Sequence, residues 1–450
     1  MDEKKIDHII EEIRIALQSG NLKEAINALV RLHPADRAEA FSDLDNKDQA
    51  ALLPGMDIPV AADLLEELED EQAADVAISL PTELLADVLD EMEPDEAADV
   101  LGDIPPARAA EALAEMEDAK EVIPLLSYPD ETAGGLMTTS YVAIQPSFSA
   151  AQAIGILRQI GTAVETPYYL YVVDDVNYLI GIVGMRKLII AQPEDLVQSF
   201  MDTDVIAANA IEDQEMVARL MSRYDLTVMP VIDDNGYLQG VITHDDLVDV
   251  IEEEATEDIY RLANISDSDL SIHSPVGISV RRRLPWLFLN SITALFAAWV
   301  ISNFENLFQQ VALLAVFQSV VAGIGGNAAT QSLAMIVRAY ALGEISGRVT
   351  LKPLYRQVAI GIIQGLAVGL VVGFGVYLWK GNVYLGLIIS LALAANILIA
   401  AVVGTLIPLG LRALNQDPAL ASSVLVTAIT DSVGFAIFLG LATLFLSRLT

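Results

Sequence analysis

The chain contains no cysteine and only four histidines among its 450 residues. Without thiols it cannot form disulfides or thiolate metal sites. It also lacks the signatures GxxxxGK[ST], HExxH, CxxC and GxSxG, which mark phosphate loops, zinc proteases, redox sites and hydrolase nucleophiles. These absences argue against an enzyme.

Basic residues are scarce as well, with 25 lysines and arginines against 62 aspartates and glutamates, for a net charge of -37. From residue 285 onward there are four acids and seven bases, which leaves 58 acids and 18 bases in residues 1–284. Because 53% of the chain is hydrophobic, we expect an acidic soluble part followed by a membrane domain. This charge argues against nucleic acid as a partner. Adaptation to high salt would also favour acids, but it does not require a carboxylate inside a membrane segment.

Five apolar segments are long enough to cross a bilayer. If the N-terminus is cytoplasmic, eight basic residues flank these segments on the cytoplasmic side and only Lys380 and Arg448 on the external side. The acidic N-terminus lacks the features of a signal peptide. We therefore predict a multi-pass protein of the cell (inner) membrane, with cytoplasmic N-terminal domains, an external C-terminus and lipid around the segments. The predicted segments are residues 284–304, 307–337, 358–379, 384–411 and 419–446.

Residues 31–117 repeat a short plan every eleven to thirteen residues. Each copy begins at a proline or an aspartate and continues with small and aliphatic residues on one helical face. Short helices of this kind stack into a solenoid. The sequence thus predicts an all-α N-domain with acidic outer faces.

A second repeat occupies residues 137–251, where YVVDDVNYLIGIVGMRKL at 171 aligns with PVIDDNGYLQGVITHDDL at 230. Each copy predicts a strand, an Asp-containing turn, a second strand and a helix start, preceded by an amphipathic helix at 150–160 or 211–224. This pattern resembles the paired cystathionine-β-synthase (CBS) module, an α/β regulatory sensor that often binds adenosine nucleotides. An acidic helix is predicted next, at 248–262.

Asp431 is the only acid deep within any of the apolar segments. It lies roughly 18 Å along the last helix, near mid-bilayer, where an ionisable group is costly and marks a candidate functional site. Ser423 and Thr427 share its predicted helical face. Hydroxyls and a carboxylate can hydrogen-bond the water shell of a cation such as Mg²⁺, which dehydrates reluctantly. The alternative is a protonated Asp431 bonded to a neighbouring helix.

Two glycine motifs lie in the membrane segments. The motif GIGGN at 323–327, which includes Gly325 and Asn327, interrupts the second segment, either as a local break whose carbonyls face a pore or as a packing site. Four glycines at four-residue spacing, from 361 to 373, predict a packing face. Because five helices with one carboxylate make a poor closed pore, we predict a homodimer with the ion path near its axis.

Four motifs resemble those of the MgtE family of magnesium channels and transporters: ETAGGLMT at 131, ATEDI at 255, GIGGNAATQS at 323, and DPAL followed by TDSVG from 417. The resemblance covers essentially the whole chain. It implies a helical N-domain (1–130), tandem CBS domains (131–250), a connecting or plug helix with its linker (251–276) and a five-helix transmembrane domain (277–450).

The resemblance also implies roles for particular acids. It makes Asp431 the pore carboxylate that holds hydrated Mg²⁺, beside Thr427 and Ser423, although the family commonly has Asn at the position of Ser423. The other implied Mg²⁺ sites lie on the connecting helix, at the pore mouth and between the N-domain and the CBS pair, and their residues are Glu254, Glu257, Asp258, Asp417, Glu215, Asp63, Asp95, Asp99, Asp225, Asp246 and Asp249.

The function that the resemblance implies is a Mg²⁺ channel closed by cytoplasmic Mg²⁺ bound between the acidic domains. The alternatives are a channel or carrier for another divalent cation, Co²⁺ or Mn²⁺, and a membrane-anchored nucleotide sensor. The family includes ATP-binding members. Two departures argue against ATP here, since the first repeat has Arg186 and Lys187 where a ribose-binding Asp often stands, and Leu226 replaces a base-stacking aromatic.

Overall fold

A computed structural model describes residues 3–160, 169–263, 265, 270, 276–341, 345, 352–414, 416 and 422–449. The chain divides into two compact units, Met1–Ile251 and Glu252–Thr450. The first carries the two sequence repeats and the second carries the apolar segments.

Short helices build the first part of unit Met1–Ile251. From α3 to α9 a helix begins every twelve residues, which confirms the predicted helical repeat. Four of these helices carry proline in their first turn, where a missing N–H costs nothing. The helices are α1 (Glu3–Gln18), α2 (Leu22–Val30), α3 (Pro34–Ser42), α4 (Asn46–Leu52), α5 (Ile58–Glu66), α6 (Asp70–Ser79), α7 (Thr82–Leu89), α8 (Pro94–Asp103), α9 (Pro106–Glu115) and α10 (Ala119–Val122).

The repeated helices form two layers. Odd-numbered helices pack on odd-numbered ones, from α3 to α5, α7 and α9, and α4, α6 and α8 pack in the same way. Each helix turns an apolar stripe inward, with Phe41, Leu65 and Leu89 fully buried. The acids between these stripes are left mostly on the outside.

The two α/β repeats each contain a three-stranded sheet, ordered β1-β2-β3 and β4-β5-β6. Each sheet opens with a two-residue strand in parallel pairing, which the sequence pattern did not predict because two residues show no alternation. The elements are β1 (Ala143–Ile144), α11 (Ala150–Ile160), β2 (Tyr169–Val173), β3 (Leu179–Gly184), α12 (Met185–Ile190), β4 (Ala208–Asn209), α13 (Gln214–Tyr224), β5 (Met229–Ile232), β6 (Leu238–Ile242) and α14 (His244–Leu262).

The two repeats match in detail. Both have a register shift at the same place in their central strand, after Val172 and after Val231. Asn177 and Gly236, which also correspond, both adopt positive φ at the tip of their hairpins. The tyrosines that follow these two residues meet edge to face, with ring centroids 6.3 Å apart. The hairpins therefore pair across a local pseudo-twofold axis.

The helical region (residues 3–127) is built onto the second repeat and not the first. One apolar core runs from Ile6 to Val250, while the first repeat has a separate core. In the ETAGGLMT motif, the backbone N–H of Ala133 donates to the Glu212 carbonyl at 2.8 Å, and that of Gly134 donates to the Ala210 carbonyl at 2.8 Å. A Cβ on Gly134 would lie 2.8 Å from that carbonyl, so glycine is needed for the close approach.

Helix α14 is longer than the predicted acidic helix. It begins at His244 and so joins the last helix of the second repeat to the connecting helix in one element. Within unit Glu252–Thr450, Leu262 at its end packs against Leu333 and Val337. The Tyr260 hydroxyl donates to the Leu270 carbonyl at 2.7 Å.

Unit Glu252–Thr450 has five helices long and apolar enough to cross a membrane among its described residues, as predicted. One boundary differs from the prediction: residues 305–310 form a separate short helix before the second long one. The helices are α15 (Val276–Ser302), α16 (Glu305–Gln310), α17 (Leu313–Ala341), α18 (Lys352–Lys380), α19 (Val383–Ala413), α20 (Ser422–Leu444) and α21 (Leu446–Leu449).

Helix α19 lies at the centre of this unit and packs against α17, α18 and α20. The glycine ladder of α18 faces it, which confirms the predicted packing face: a Cβ on Gly365 would lie 2.8 Å from the Ala394 carbonyl, and one on Gly369 would lie 2.5 Å from the Ser390 carbonyl. Helix α15 packs mainly on α20 and is left almost uncovered by the rest of the unit.

Candidate functional site

Three oxygen-bearing side chains line one face of α20. Ser423, Thr427 and Asp431 follow one another at four-residue spacing, and because α20 is a continuous helix they share a face. Thr427 is exposed, and Ser423 and Asp431 are half-buried. By contrast, Thr430 is buried and donates within its own helix to the Val426 carbonyl at 2.9 Å. The chain therefore leaves this polar stripe partly uncovered.

No described side chain pairs with the Asp431 carboxylate by an ion pair or a hydrogen bond. The alternative in which Asp431 bonds to a neighbouring helix thus has no counterpart among the described residues. A carboxylate with open lone pairs beside hydroxyl groups can accept hydrogen bonds from the water shell of a cation.

The GIGGN motif does not break its helix, since α17 is continuous from Leu313 to Ala341. Of the two alternatives predicted for this motif, the local break with pore-facing carbonyls is therefore wrong. Gly325 is buried, and a Cβ on it would overlap the Asn396 side chain, so this glycine permits close helix packing. Asn327 lies on the exposed side of the same helix. Gly325 and Asn327, predicted as one pore motif, therefore face in different directions.

Asn396 is a polar residue that sequence reasoning missed. It is fully buried at the centre of the unit, and its Nδ2 donates to the Val321 carbonyl of α17 at 3.0 Å. The available signal was its uniqueness, because Asn396 is the only amide side chain between residues 384 and 411. A buried amide in a membrane helix calls for a partner.

A second group of acids lies in unit Met1–Ile251. Of the predicted ligands, the structure brings together Asp95 and Asp99 on α8 and Asp246 in the first turn of α14. Sequence reasoning missed two further acids near them, Glu96 and Glu66. The charges of Asp95, Asp99, Glu66 and Asp246 all raise the pKa of Glu96. We call these five residues the acidic cluster.

Burial and repulsion from neighbouring carboxylates raise the pKa values of four members of the acidic cluster, Asp95, Glu96, Asp99 and Asp246. Burial and then the charge of Asp246 raise the pKa of Asp95 to about 7. Burial and then the charges of Asp95 and Asp99 raise the pKa of Glu96 to about 9. Asp99 reaches solvent, yet the protein packed around it and the charges of Asp70 and Asp95 raise its pKa to about 8. The ionised cluster is thus destabilised wherever no cation or proton neutralises it.

The hydrogen bonds of the cluster show how α8 faces the second repeat. The Asp246 carboxylate accepts bonds from the backbone N–H and the hydroxyl of Thr243, both at 2.8 Å, although burial still raises its pKa. Asp95 bonds Thr138 through its side chain, but its Oδ1 is buried without a partner among the described residues. The described residues contain no ready-made group of three metal-binding side chains.

Other predicted ligands of this unit have different surroundings. Asp63 pairs with the buried Arg37 at 3.5 Å. Glu215 pairs with Arg219 one turn along α13. Asp225 is exposed where α13 ends and adopts a left-handed conformation. Asp249 adds a like charge beside Asp246.

The predicted acids of the connecting helix share one face of α14. Glu254, Glu257 and Asp258 are all half-buried, as expected for positions three and four residues apart. Glu257 pairs with Arg261. Asp417, their predicted partner, lies outside the described residues.

Family models match three parts of the chain: "MgtE intracellular N domain" at residues 32–131, "CBS domain" at 133–194 and 197–253, and "Divalent cation transporter" at 318–441. The chain is 36% identical over 332 residues to the magnesium transporter MgtE of Bacillus subtilis, covering 74% of this chain and 73% of that protein. The chain belongs to the MgtE family.

A second MgtE, from Thermus thermophilus, is 37% identical over 328 residues and 72% of each chain. Two solved structures resemble the soluble part. The soluble part of a magnesium transporter has a TM-score of 0.50 and 31% identity, covering 56% of this chain and 99% of that one. The cytosolic domain of the Mg²⁺ channel MgtE in complex with ATP has a TM-score of 0.51 and 34% identity, covering 54% and 99%.

These comparisons confirm the predicted order of a helical N-domain, a tandem CBS pair and a membrane part with five candidate spans. They also agree with the predicted family.

Proposed function

We propose that this member of the MgtE family conducts Mg²⁺ through a membrane path at Asp431 and that cytoplasmic Mg²⁺ closes the path by binding to the acidic cluster. The observation that carries the proposal is the contrast between Asp431, open on a hydroxyl-lined face, and the acidic cluster, in which burial and neighbouring carboxylates raise the pKa values of Asp95 and Glu96. Relatives that cover most of the chain are named magnesium transporters.

The ion path follows from the stripe on α20. Ser423, Thr427 and Asp431 offer hydroxyl and carboxylate oxygens that suit a hydrated hard cation. One stripe cannot enclose an ion. A twofold homodimer would set two copies of Asp431 against each other across an axis and line the path from both sides. The partly uncovered stripe and the almost uncovered α15 leave surface for a second copy and for lipid.

The closing mechanism follows from charge repulsion. Mg²⁺ bound at Asp95, Asp99 and Asp246 would neutralise carboxylates whose ionised forms are destabilised by burial and by one another. It would thereby hold α8 against the first turn of α14. Because α14 continues without a break to Glu254, Glu257 and Asp258, a change at its start can reach the acidic face of the connecting helix. When Mg²⁺ is scarce, repulsion favours separation and opening.

The test is ion uptake into proteoliposomes that contain the purified chain. We expect uptake of Mg²⁺ that falls steeply when Mg²⁺ is raised on the side of the soluble domains. Competition with Co²⁺ and Mn²⁺ tests the alternative of another divalent cation, in line with the wording "Divalent cation transporter" of the matching family model. Uptake that ignores Mg²⁺ on the side of the soluble domains would contradict the closing mechanism, and absence of Mg²⁺ uptake would contradict the whole proposal.

Nucleotide binding is a separate candidate. A cytosolic MgtE domain of similar fold was solved in complex with ATP, yet Arg186, Lys187 and Leu226 depart from the expected nucleotide-binding pattern. Titration of the chain with ATP, read by its thermal stability, would decide whether a nucleotide also acts on the CBS pair.

A further inference from the structure

Asn396 joins three membrane helices at one point. It lies on α19 with no exposed surface, and its Nδ2 donates to the Val321 carbonyl of α17 at 3.0 Å. Gly325 of α17 and Gly434 of α20 face it, and a Cβ on Gly434 would lie 2.7 Å from both Nδ2 and Oδ1. The amide therefore fills a space between α17 and α20 that exists because both helices have glycine there.

The acceptor atom of the same side chain has no partner. Asn396 Oδ1 is buried without a hydrogen bond to any described residue. An apolar side chain would avoid the cost of burying such an atom. Packing alone therefore does not explain why an amide stands here.

A second observation points to the same level of the membrane unit. Ser432 Oγ, next to Asp431, is also buried without a partner among the described residues. These two are the described buried side-chain polar atoms of this unit without partners. Gly434, which contacts Asn396, comes three residues after Asp431, or roughly 4.5 Å along the axis of α20. The unpartnered atoms therefore lie at about the same level along α20 as Asp431.

We propose that Asn396 is a positioning residue for ion conduction, which holds α17 at a set distance from α20 and thereby fixes the lateral position of the Asp431 carboxylate. The inference rests on the proposed function. The amide acts through Asp431 and does not itself touch the ion, because it has no exposed surface. A shift of α20 of less than an ångström would change how Asp431 meets a hydrated ion, and thus the preference among divalent ions.

The test compares Asn396→Leu with Thr405→Val in proteoliposomes. Leucine keeps the number and branching of the side-chain heavy atoms and removes both polar atoms. Thr405 is a matched control, since it is fully buried on the same helix and donates only to the Ala401 carbonyl of that helix at 2.7 Å. We expect Asn396→Leu to lower the ratio of Mg²⁺ to Mn²⁺ uptake at least about fivefold, and Thr405→Val to leave it within about twofold, a fivefold change being roughly 1 kcal/mol of differential stabilisation.

A second pair of variants separates positioning from packing. Gly325→Ala alone should lower the melting temperature, because the added methyl group overlaps Asn396. Adding Asn396→Ser frees that space, so the double variant should regain much of the melting temperature. Because the amide is still missing, the ratio of Mg²⁺ to Mn²⁺ uptake of the double variant should remain below that of the wild-type chain. If the double variant regains the wild-type ratio as well, the amide acts through packing alone and the inference is overturned. The same pair decides the matter if Asn396→Leu fails to fold.

The outcomes also separate this inference from the proposed function. If the wild-type chain prefers Mn²⁺ or Co²⁺ over Mg²⁺, the proposed ion is wrong, but a changed preference in Asn396→Leu still supports positioning. If the wild-type chain carries Mg²⁺ and the folded Asn396→Leu variant keeps the wild-type ratio, the positioning role is wrong and the proposed function stands.

Discussion

The same functional group, a carboxylate, has two different surroundings in the two units of this chain. In unit Met1–Ile251, the charge of Asp246 raises the pKa values of Asp95 and Glu96, and the charge of Asp95 raises those of Glu96 and Asp99. In unit Glu252–Thr450, Asp431 lies on a hydroxyl-lined face and has no described carboxylate beside it. Crowding makes a group of acids respond to protons and cations, because each added positive charge relieves several repulsions at once.

An isolated carboxylate behaves differently. With only one such charge on each copy of the chain, it can attract a hydrated cation without holding it through many bonds, which conduction requires. The contrast therefore suits sensing in one unit and passage in the other.

The largest expected effect is on the isolated carboxylate. Asp431→Asn keeps the size of the side chain and removes its charge, so we expect Mg²⁺ uptake to fall by about 100-fold, equivalent to roughly 3 kcal/mol of lost stabilisation. Uptake into proteoliposomes measures it, with the melting temperature as the check on folding. Glu305→Gln is the matched control, since Glu305 opens the short α16 outside the long helices, and it should change uptake by less than about twofold. Uptake at the wild-type level in Asp431→Asn would show that the charge of Asp431 is not needed for ion passage.

The next effect is the pH dependence of the crowded carboxylates. The folded-state pKa values of Asp95, Asp99 and Glu96, at about 7, 8 and 9, lie above the ordinary values of these groups. The folded protein therefore binds more protons than the unfolded chain, and this difference stabilises the folded state. The stabilisation is full below about pH 4 and is lost as pH rises through 7 to 9. In Mg²⁺-free buffer we expect the melting temperature of the soluble domains in the intact protein to fall from pH 6 to pH 9.

Saturating Mg²⁺ should flatten this dependence, because the metal replaces the protons that leave. A melting temperature that rises with pH over the same range, or a Mg²⁺ effect that is equal at pH 6 and pH 9, would show that the cluster is not the group that responds.

A smaller effect is expected when one member of the cluster is neutralised. Asp95→Asn removes a buried charge, so at pH 8 without Mg²⁺ we expect a gain in unfolding free energy of about 1 to 3 kcal/mol and a weaker response to added Mg²⁺. Thermal unfolding with and without Mg²⁺ measures both. Asp87→Asn is the control, because Asp87 lies exposed on α7 and should change stability by less than about 0.5 kcal/mol. Equal effects of the two substitutions would contradict a special role for crowding.

The smallest effect concerns the close packing of α18 against α19 in the membrane unit. A Cβ on Gly369 would lie 2.5 Å from the Ser390 carbonyl of α19, whereas one on Gly375 of the same helix meets nothing within 4 Å. We expect Gly369→Ala to destabilise the membrane unit by about 1 to 2 kcal/mol, and Gly375→Ala to be neutral or slightly stabilising. Thermal unfolding in detergent compares them, and equal stabilities would show that α18 and α19 can move apart freely.

Much of the architecture was predictable because its signals are local. Short stretches of sequence were enough to recognise the twelve-residue spacing of helix starts, the offset between the two α/β repeats and the five apolar segments. The stripe of Ser423, Thr427 and Asp431 needed only the helical period. Where a local signal was ambiguous, as in GIGGN, the sequence left a helix break and a packing site as alternatives, and the continuous helix excludes the break.

Local sequence patterns predicted most of the longer elements, their order, the separation of acidic and apolar parts, and the shared face of Asp431. Only the tertiary structure decided which distant residues meet. It joined the helical region to the second repeat and not the first, collected Glu66 and Glu96 into the acidic cluster, and set Asn396 between Gly325 and Gly434. The reason is physical: helix period and hydropathy act over a few residues, whereas burial, repulsion and the need for a hydrogen-bond partner depend on neighbours that only the folded chain brings together.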